Sequence, residues 1–238
     1  MKAVQKRDLL VKEVLKTLLK EAGFKTKKTN WWKELEDGYL FIYMKNSQFN
    51  SQETGCDFCF QFSASYKEDI RDKIENQWIY NQRDCVEERD FLPYWGYLSP
   101  NRTGLGYRID GYRNYQPLDI PIEEIFAQIK EDFEIHILPH VTQIQSVKDF
   151  TVLKEMLREK RKTKENRLLN FYSLMQSFCC DEGNLQHVLP IYRECALTEE
   201  DIRSHYDWLD IIAHNSAFPD MNAKEFIERV LVMDSNDV

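Results

Sequence analysis

Trp31-Trp32-Lys33-Glu34-Leu35-Glu36 leads through Asp37-Gly38 into Tyr39-Leu40-Phe41-Ile42-Tyr43-Met44-Lys45, and Asp57-Phe58-Cys59-Phe60-Gln61-Phe62-Ser63-Ala64 follows. An Asp-Gly pair between two aromatic-rich runs predicts a β-hairpin whose tight turn uses positive φ. In the third run, strand alternation puts Phe58, Phe60, Phe62 and Ala64 on one face. Asp57, Cys59, Gln61 and Ser63 fall on the other. That is a strand with a core side and a wetter side, and the rest of the chain is read as packing around it.

Upstream, Val11, Val14, Leu15, Leu18, Leu19 and Ala22 recur with helical spacing, so residues before Gly23 form an amphipathic helix. Gly23 supplies a left-handed residue just past its end, and Phe24 folds back on the last turn. Downstream, residues 67–92 are highly charged, with scattered apolar positions at Ile70, Ile74, Trp78 and Ile79 that predict a short helix. A further strand fits between the glycines near Leu105 to Ile109.

Asp119 reads as the N-cap of a second long helix, with Ile122, Ile125, Phe126, Ile129 and Phe133 as its buried stripe. Pro139 is expected to kink or break it. Ser146-Val147-Lys148-Asp149 has the form of a capping box. Arg158 to Arg167 is charged and without apolar residues, a natural boundary, and the chain beyond it reads as helix. The expected fold is α+β. Residues 1–157 form a small, mainly antiparallel sheet of three or four strands flanked by two helices, and residues 163–238 form a helical appendage.

The chain is long enough for one large or two modest domains. An apolar share of 42% argues for packed globular structure. No run of about 18 apolar residues occurs, so no membrane span is expected, and the N-terminus lacks a signal-peptide core. The expected location is cytoplasmic, where six cysteines serve as small apolar groups rather than disulfides.

The net charge of −8 is unevenly placed. Residues 1–33 hold ten Lys/Arg against three acids, while residues 181–238 sum to −9. An acidic chain repels nucleic acid unless it builds a compact basic face, and the lysines of the first helix are read first as a solvated helix face.

The motif Leu19-Lys20-Glu21-Ala22-Gly23-Phe24-Lys25, the aromatic Trp31-Trp32 strand, and Leu138-Pro139-His140 with Ser146-Val147-Lys148-Asp149-Phe150 resemble a mostly bacterial family. It is catalogued as domain of unknown function 4304. The resemblance covers about residues 5–157. It implies an α+β domain with a first helix ending in Gly-Phe-Lys, a hairpin, a Phe-rich strand and a helix closing on Leu-Pro. Residues 67–92 look like an expansion over shorter members. The family brings no established reaction, so no catalytic residue carries over.

The chemical constellations mostly dissolve on inspection. Asp132, His136 and His140 would share one face of a regular helix, as metal ligands do, but Pro139 disturbs that geometry. Cys56 and Cys59 fall on a strand, where odd spacing points them to opposite faces. Gly104-Leu105-Gly106 lacks a third glycine and a following helix, so it is no dinucleotide fingerprint. Cys179-Cys180 and the Asp210/His214 pair have no nucleophile or ligand set arranged around them. The acid runs Glu87-Glu88 and Glu199-Glu200-Asp201 are explained by solvation and helix starts. No catalytic residue, cofactor or metal ligand is assigned.

One segment stands out. Tyr94, Trp95, Tyr97, Tyr107, Tyr112 and Tyr115 interleave with Arg102, Arg108 and Arg113. Tyr, Trp and Arg are the residues in which interfaces concentrate binding energy, and the same mixture stacks on single-stranded nucleic acid. The plain alternative is that these aromatics cover the open face of the sheet. The expected function is a non-catalytic protein-binding module of inhibitor or immunity type, with an unknown protein partner, no membrane and an undetermined oligomeric state. The alternative is a nucleic-acid or nucleotide-handling protein using the basic first helix and residues 94–115.

Overall fold

The computed structural model describes residues 1–48, 50, 55–81, 84–92, 102–103, 106–110, 112–113, 116–117, 120–178, 185–209 and 223–236. The fold is α+β, an antiparallel sheet with helices, followed by further helices toward the C-terminus. It divides into two compact units, the first running to Arg158 and the second from Glu159, with two short stretches between residues 98 and 116 assigned to the second.

In the first unit, α1 begins as Ala3–Leu10, widens through a π-helical turn at Val11–Leu15 and closes as Lys16–Glu21. Leu10, Leu15 and Leu19 are buried, with Val11, Val14, Leu18 and Ala22 packed beside them. Gly23 takes φ +88°. Gly23 N–H donates to the Lys20 carbonyl at 3.0 Å and Phe24 N–H to the Leu19 carbonyl at 2.9 Å, the double bond pattern that closes a helix on a left-handed residue.

The strands are β1 (Lys25–Lys27), β2 (Asn30–Glu34), β3 (Gly38–Asn46), β4 (Cys56–Tyr66), β5 (Val86–Glu87), β6 (Arg102–Thr103) and β7 (Gly106–Ile109), joined antiparallel in the order β1-β2-β3-β4-β7-β6 with β5 also on β4. Among the described residues the sheet has seven strands where three or four were expected, because the short β1, β5 and β6 extend it. A separate pair, β8 (Tyr112–Arg113) and β9 (Gln116–Pro117), forms a two-stranded ribbon.

The hairpin turn differs in detail from the sequence reading. Leu35 N–H donates to the Gly38 carbonyl at 2.9 Å, so Glu36 and Asp37 are the central pair, and Gly38 has no positive φ. Its role is close approach: a Cβ there would lie 2.2 Å from the Ser65 carbonyl oxygen. The Asp37 carboxylate accepts from Val147 N–H at 2.9 Å, which docks the turn on the start of the helix that begins at Val147.

The short elements across residues 67–92 include α2 (Trp78–Asn81) and α3 (Glu88–Phe91). Helix α4 runs as Ile122–Glu131, a π-helical stretch Asp132–Ile137, then Leu138–Val141. Pro139 sits within α4, directly after a widened π-helical turn, so the helix is distorted there without ending. The expected N-cap, Asp119, lies outside the described residues.

Helix α5 (Val147–Arg161) starts from the expected capping box: Asp149 N–H donates to Ser146 Oγ at 3.2 Å, and Ser146 N–H donates to the Asp149 carboxylate at 2.8 Å. The Phe58, Phe60 and Phe62 face of β4 and the Leu40, Ile42 and Met44 face of β3 meet α1, α4 and α5 in one core. Phe60 packs edge-on against Phe133 at 4.9 Å between ring centres.

The second unit contains α6 (Lys164–Phe178), α7 (Leu185–Glu194), α8 (Glu199–Arg203) and α9 (Ala223–Asn236). Its buried residues include Leu168, Phe171, Tyr172, Met175, Ile202, Phe226, Ile227, Val230 and Leu231. The Tyr172 hydroxyl donates to the Ile202 carbonyl, tying α6 to α8.

Candidate functional site

Across β3 and β4 the register places Tyr39, Phe41, Tyr43 and Lys45 beside Ser65, Ser63, Gln61 and Cys59. These residues form the sheet face turned away from α1 and α4. Trp32 and Asn30 of β2 continue it through their pairing with Phe41 and Tyr43. The face is polar in type yet largely buried: Ser63 is 1% exposed, Tyr43 2% and Gln61 3%.

Residues 70–81 supply part of the cover. Asn30 Nδ2 donates to the Glu75 carbonyl at 3.0 Å, Lys27 pairs with Glu75 at 2.6 Å, and Ser65 Oγ bonds Asn81 Oδ1 at 3.1 Å. The Trp78 ring lies 6.4 Å from Tyr43, tilted by 45°.

Two clefts open on this face. One, of about 670 Å³, is bounded by Tyr43, Lys45, Gln61, Asn76, Trp78 and the Lys28–Asn30 turn. The other, of about 350 Å³, lies past Lys45 and Asn46 and is lined by Asp57, Cys59, Glu87 and Arg89.

The phenol and the thiols of this face are held in their neutral forms. Burial pushes the Tyr43 phenol well above its ordinary value, with Cys85, Cys59 and Glu87 adding to the shift. Burial first, then the nearby Glu88 and Glu87 carboxylates, pushes the Cys59 thiol up to about 12. Cys85 is raised as well, chiefly by burial. A thiol must ionise to attack, so neither is a ready nucleophile at neutral pH.

Beside the larger cleft, α2 presents Trp78, Ile79 and Tyr80 with 36%, 52% and 44% of their surface exposed. The Arg71 guanidinium lies 5.8 Å from the Tyr80 ring centre, within cation–π range. A lone exposed apolar residue means little, but here three large side chains stand exposed in succession on one short helix.

The residues singled out from the sequence scatter. Tyr94, Trp95, Tyr97 and Tyr115 lie outside the described residues. Arg102 is placed on β6, and Tyr112 and Arg113 on β8. Tyr107 does not belong to a surface: it is fully buried on β7, its ring stacked 5.8 Å from Phe58 and its hydroxyl donating to Asp132 at 2.8 Å. Strand alternation sends Arg108 the other way, onto the polar face. There its Nε and NH2 groups bind both oxygens of Asp57, at 2.6 and 2.7 Å. That forked pair raises the Arg108 pKa. The pair joins β7 to β4 and spends much of the charge that a partner would use.

Asp132 is itself 6% exposed, and His140 lies 6.0 Å from the Phe91 ring, so Asp132 faces the core tyrosine. Cys56 and Cys59 take opposite faces, the first in the core cluster and the second in the smaller cleft. Cys179, Cys180, Asp210 and His214 lie outside the described residues.

Glu88 is not a solvated acid as expected. It is 1% exposed, and its Oε2 accepts from Phe60 N–H at 2.6 Å. Phe60 falls between the two short partners of β4, since β7 pairs with Cys56–Phe58 and β5 with Gln61–Phe62. The carboxylate fills that gap in the ladder.

Sequence reasoning passed over the Trp78–Tyr80 surface. The available signal was three consecutive large apolar residues in a charged stretch, which successive 100° steps of a helix cannot turn to one side.

Among the described residues, no helix is long and apolar enough to cross a membrane. Comparison with protein-family models, curated proteins and solved structures found no match.

Proposed function

We propose that this chain is a non-catalytic binding module that engages a protein partner in the cytoplasm, in the manner of an inhibitor or immunity protein. The observation that carries this reading is the exposed Trp78-Ile79-Tyr80 run with Arg71 on Tyr80. Tyr, Trp and Arg are the residue types that dominate interface energetics, because they bury large rigid area and end in a polar group. The reading is supported by the polar sheet face, whose thiols and phenol are kept protonated by burial. Groups in that state contribute shape and hydrogen bonds rather than proton transfer.

A second reading rests on charge. Lys12, Lys16 and Lys20 are exposed at four-residue spacing on α1, and Lys25 and Lys28 are exposed just beyond it. Glu13 pairs with Lys12 at 2.9 Å. A polyanion such as single-stranded nucleic acid would dock along this stripe, with affinity falling steeply as salt rises.

The test sets the two side by side. Tagged protein and an Ile79→Glu/Tyr80→Ala variant are used to capture partners from native cells, and both are titrated with single-stranded RNA and DNA at two salt concentrations. A protein captured by the wild type and released by the variant supports the module. Salt-sensitive oligonucleotide binding, lost when Lys16 and Lys20 become Glu and unaffected by the α2 variant, overturns it.

A further inference from the structure

We propose that the larger cleft on the polar sheet face is a binding site for a nucleoside monophosphate, a ligand role beyond the protein partner assigned to α2, whose Trp78 borders the cleft. Its volume of about 670 Å³ lies within the range of sites for small molecules and exceeds the space that one inserted side chain would fill. The chemistry of its floor is specific. Gln61 is 3% exposed; its Nε2 already donates to Glu87 at 3.1 Å, and its Oε1 is buried without a hydrogen-bond partner. A buried carbonyl oxygen in that state calls for an N–H donor from whatever enters.

Three further carboxamides line the cleft, and one of them, Asn46, is engaged through its oxygen, which accepts from Arg7 NH1 at 2.9 Å. Asn30 Nδ2 donates to the Glu75 carbonyl at 3.0 Å, and Asn76 Nδ2 donates to Asp72 at 3.2 Å. Each of those NH2 groups keeps a second N–H, so the acceptor left without a partner is Gln61 Oε1, and it favours a ring edge that carries an N–H, such as that of a nucleobase. The half-exposed Trp78 indole provides the surface on which such a ring stacks.

The rim supplies the charge for a phosphate. Lys28 and Lys45 are exposed, and neither has an ion-pair partner among the described residues. The Met44 N–H bond to the Thr29 carbonyl, at 3.0 Å, holds the β1–β2 turn against the end of β3 and so brings the two lysines to one opening. Lys28 sits there at φ +57°, a left-handed conformation that a non-glycine residue adopts at a cost. Two ammonium groups at one mouth suit a dianion better than a single carboxylate.

The test is calorimetry of the intact chain in low salt with AMP, CMP, GMP and UMP, with adenosine and inorganic phosphate as separate arms. Gln61→Leu and Lys45→Glu are compared with wild type, and thermal melts confirm that each variant is folded. The expected result is submillimolar binding of a mononucleotide, tighter than either separate arm. Each variant weakens it by about tenfold or more, the size of one lost hydrogen bond or ion contact. Absence of submillimolar binding by any mononucleotide overturns the proposal. So does equal affinity for phosphate alone, or binding unchanged in both variants. Because the partner test alters Ile79 and Tyr80 while this one alters Gln61 and Lys45, either conclusion can fail without the other.

Discussion

Gly106 shows how narrowly single residues hold the sheet. It lies at φ +135° at the start of β7, and a Cβ there would lie 2.3 Å from the Phe58 carbonyl oxygen. Gly106→Ala therefore meets both backbone strain and a clash with main chain that cannot swing aside. The expected loss is about 2–4 kcal/mol in denaturant unfolding, from strain and overpacking together. A loss below about 0.5 kcal/mol would show that the strand shifts freely, since that is the scale of a featureless surface change. Cys59 gives a chemical test of the same face. With its thiol pushed up to about 12 and 7% exposed, it is almost entirely protonated at pH 8. Peptide mapping after iodoacetamide treatment of native protein should find Cys59 unmodified, and modified once urea is present. Rapid native alkylation would contradict the buried, uncharged face described here.

At the scale of elements, much was legible wherever a local period was strong. The α1 stripe ending at Gly23 and the Phe58/Phe60/Phe62 face followed from spacing alone, because one side of each element has to leave water. Pro139 reads as a kink or a break, and the helix leaves regular α geometry over Asp132–Ile137, directly before it, yet continues as Leu138–Val141. Tyr107 was misread. Residue type suggested an interface, but the alternation Tyr107-Arg108-Ile109 decides which side chain faces out, and the outward one is Arg108. The cover over the polar face depends on contacts between residues 30 and 75, or 65 and 81, which no local pattern encodes.

Helix α8 carries a prediction of its own. Thr198 caps it, exchanging bonds of 3.1 Å each way with Asp201. Lys164, then the Thr198 backbone, hold the Asp201 carboxyl down to about 2 from an ordinary 3.8. A carboxyl depressed in the folded state stabilises fully above 3.8, and that contribution disappears as pH falls through about 2. The melting difference between wild type and Asp201→Asn should therefore shrink between pH 4 and pH 2. A difference that stays constant over that window would mean that the charge is not what the cap uses.

On the scale of the whole molecule, a large antiparallel sheet buries one face against three helices and keeps a second, polar face with clefts and the exposed Trp78-Ile79-Tyr80 run beside it. That division of labour suits a scaffold that presents a recognition surface. The central claim is that α2 is where a protein partner is held. The most direct measurement is the dissociation constant of the captured partner for wild-type protein and for the Ile79→Glu/Tyr80→Ala variant, with thermal melts in parallel. Two exposed interface anchors at hot-spot scale, about 2 kcal/mol or more, predict affinity weaker by roughly 30-fold or more with an unchanged melting temperature. Equal affinity for the two proteins, both fully folded, would contradict the account.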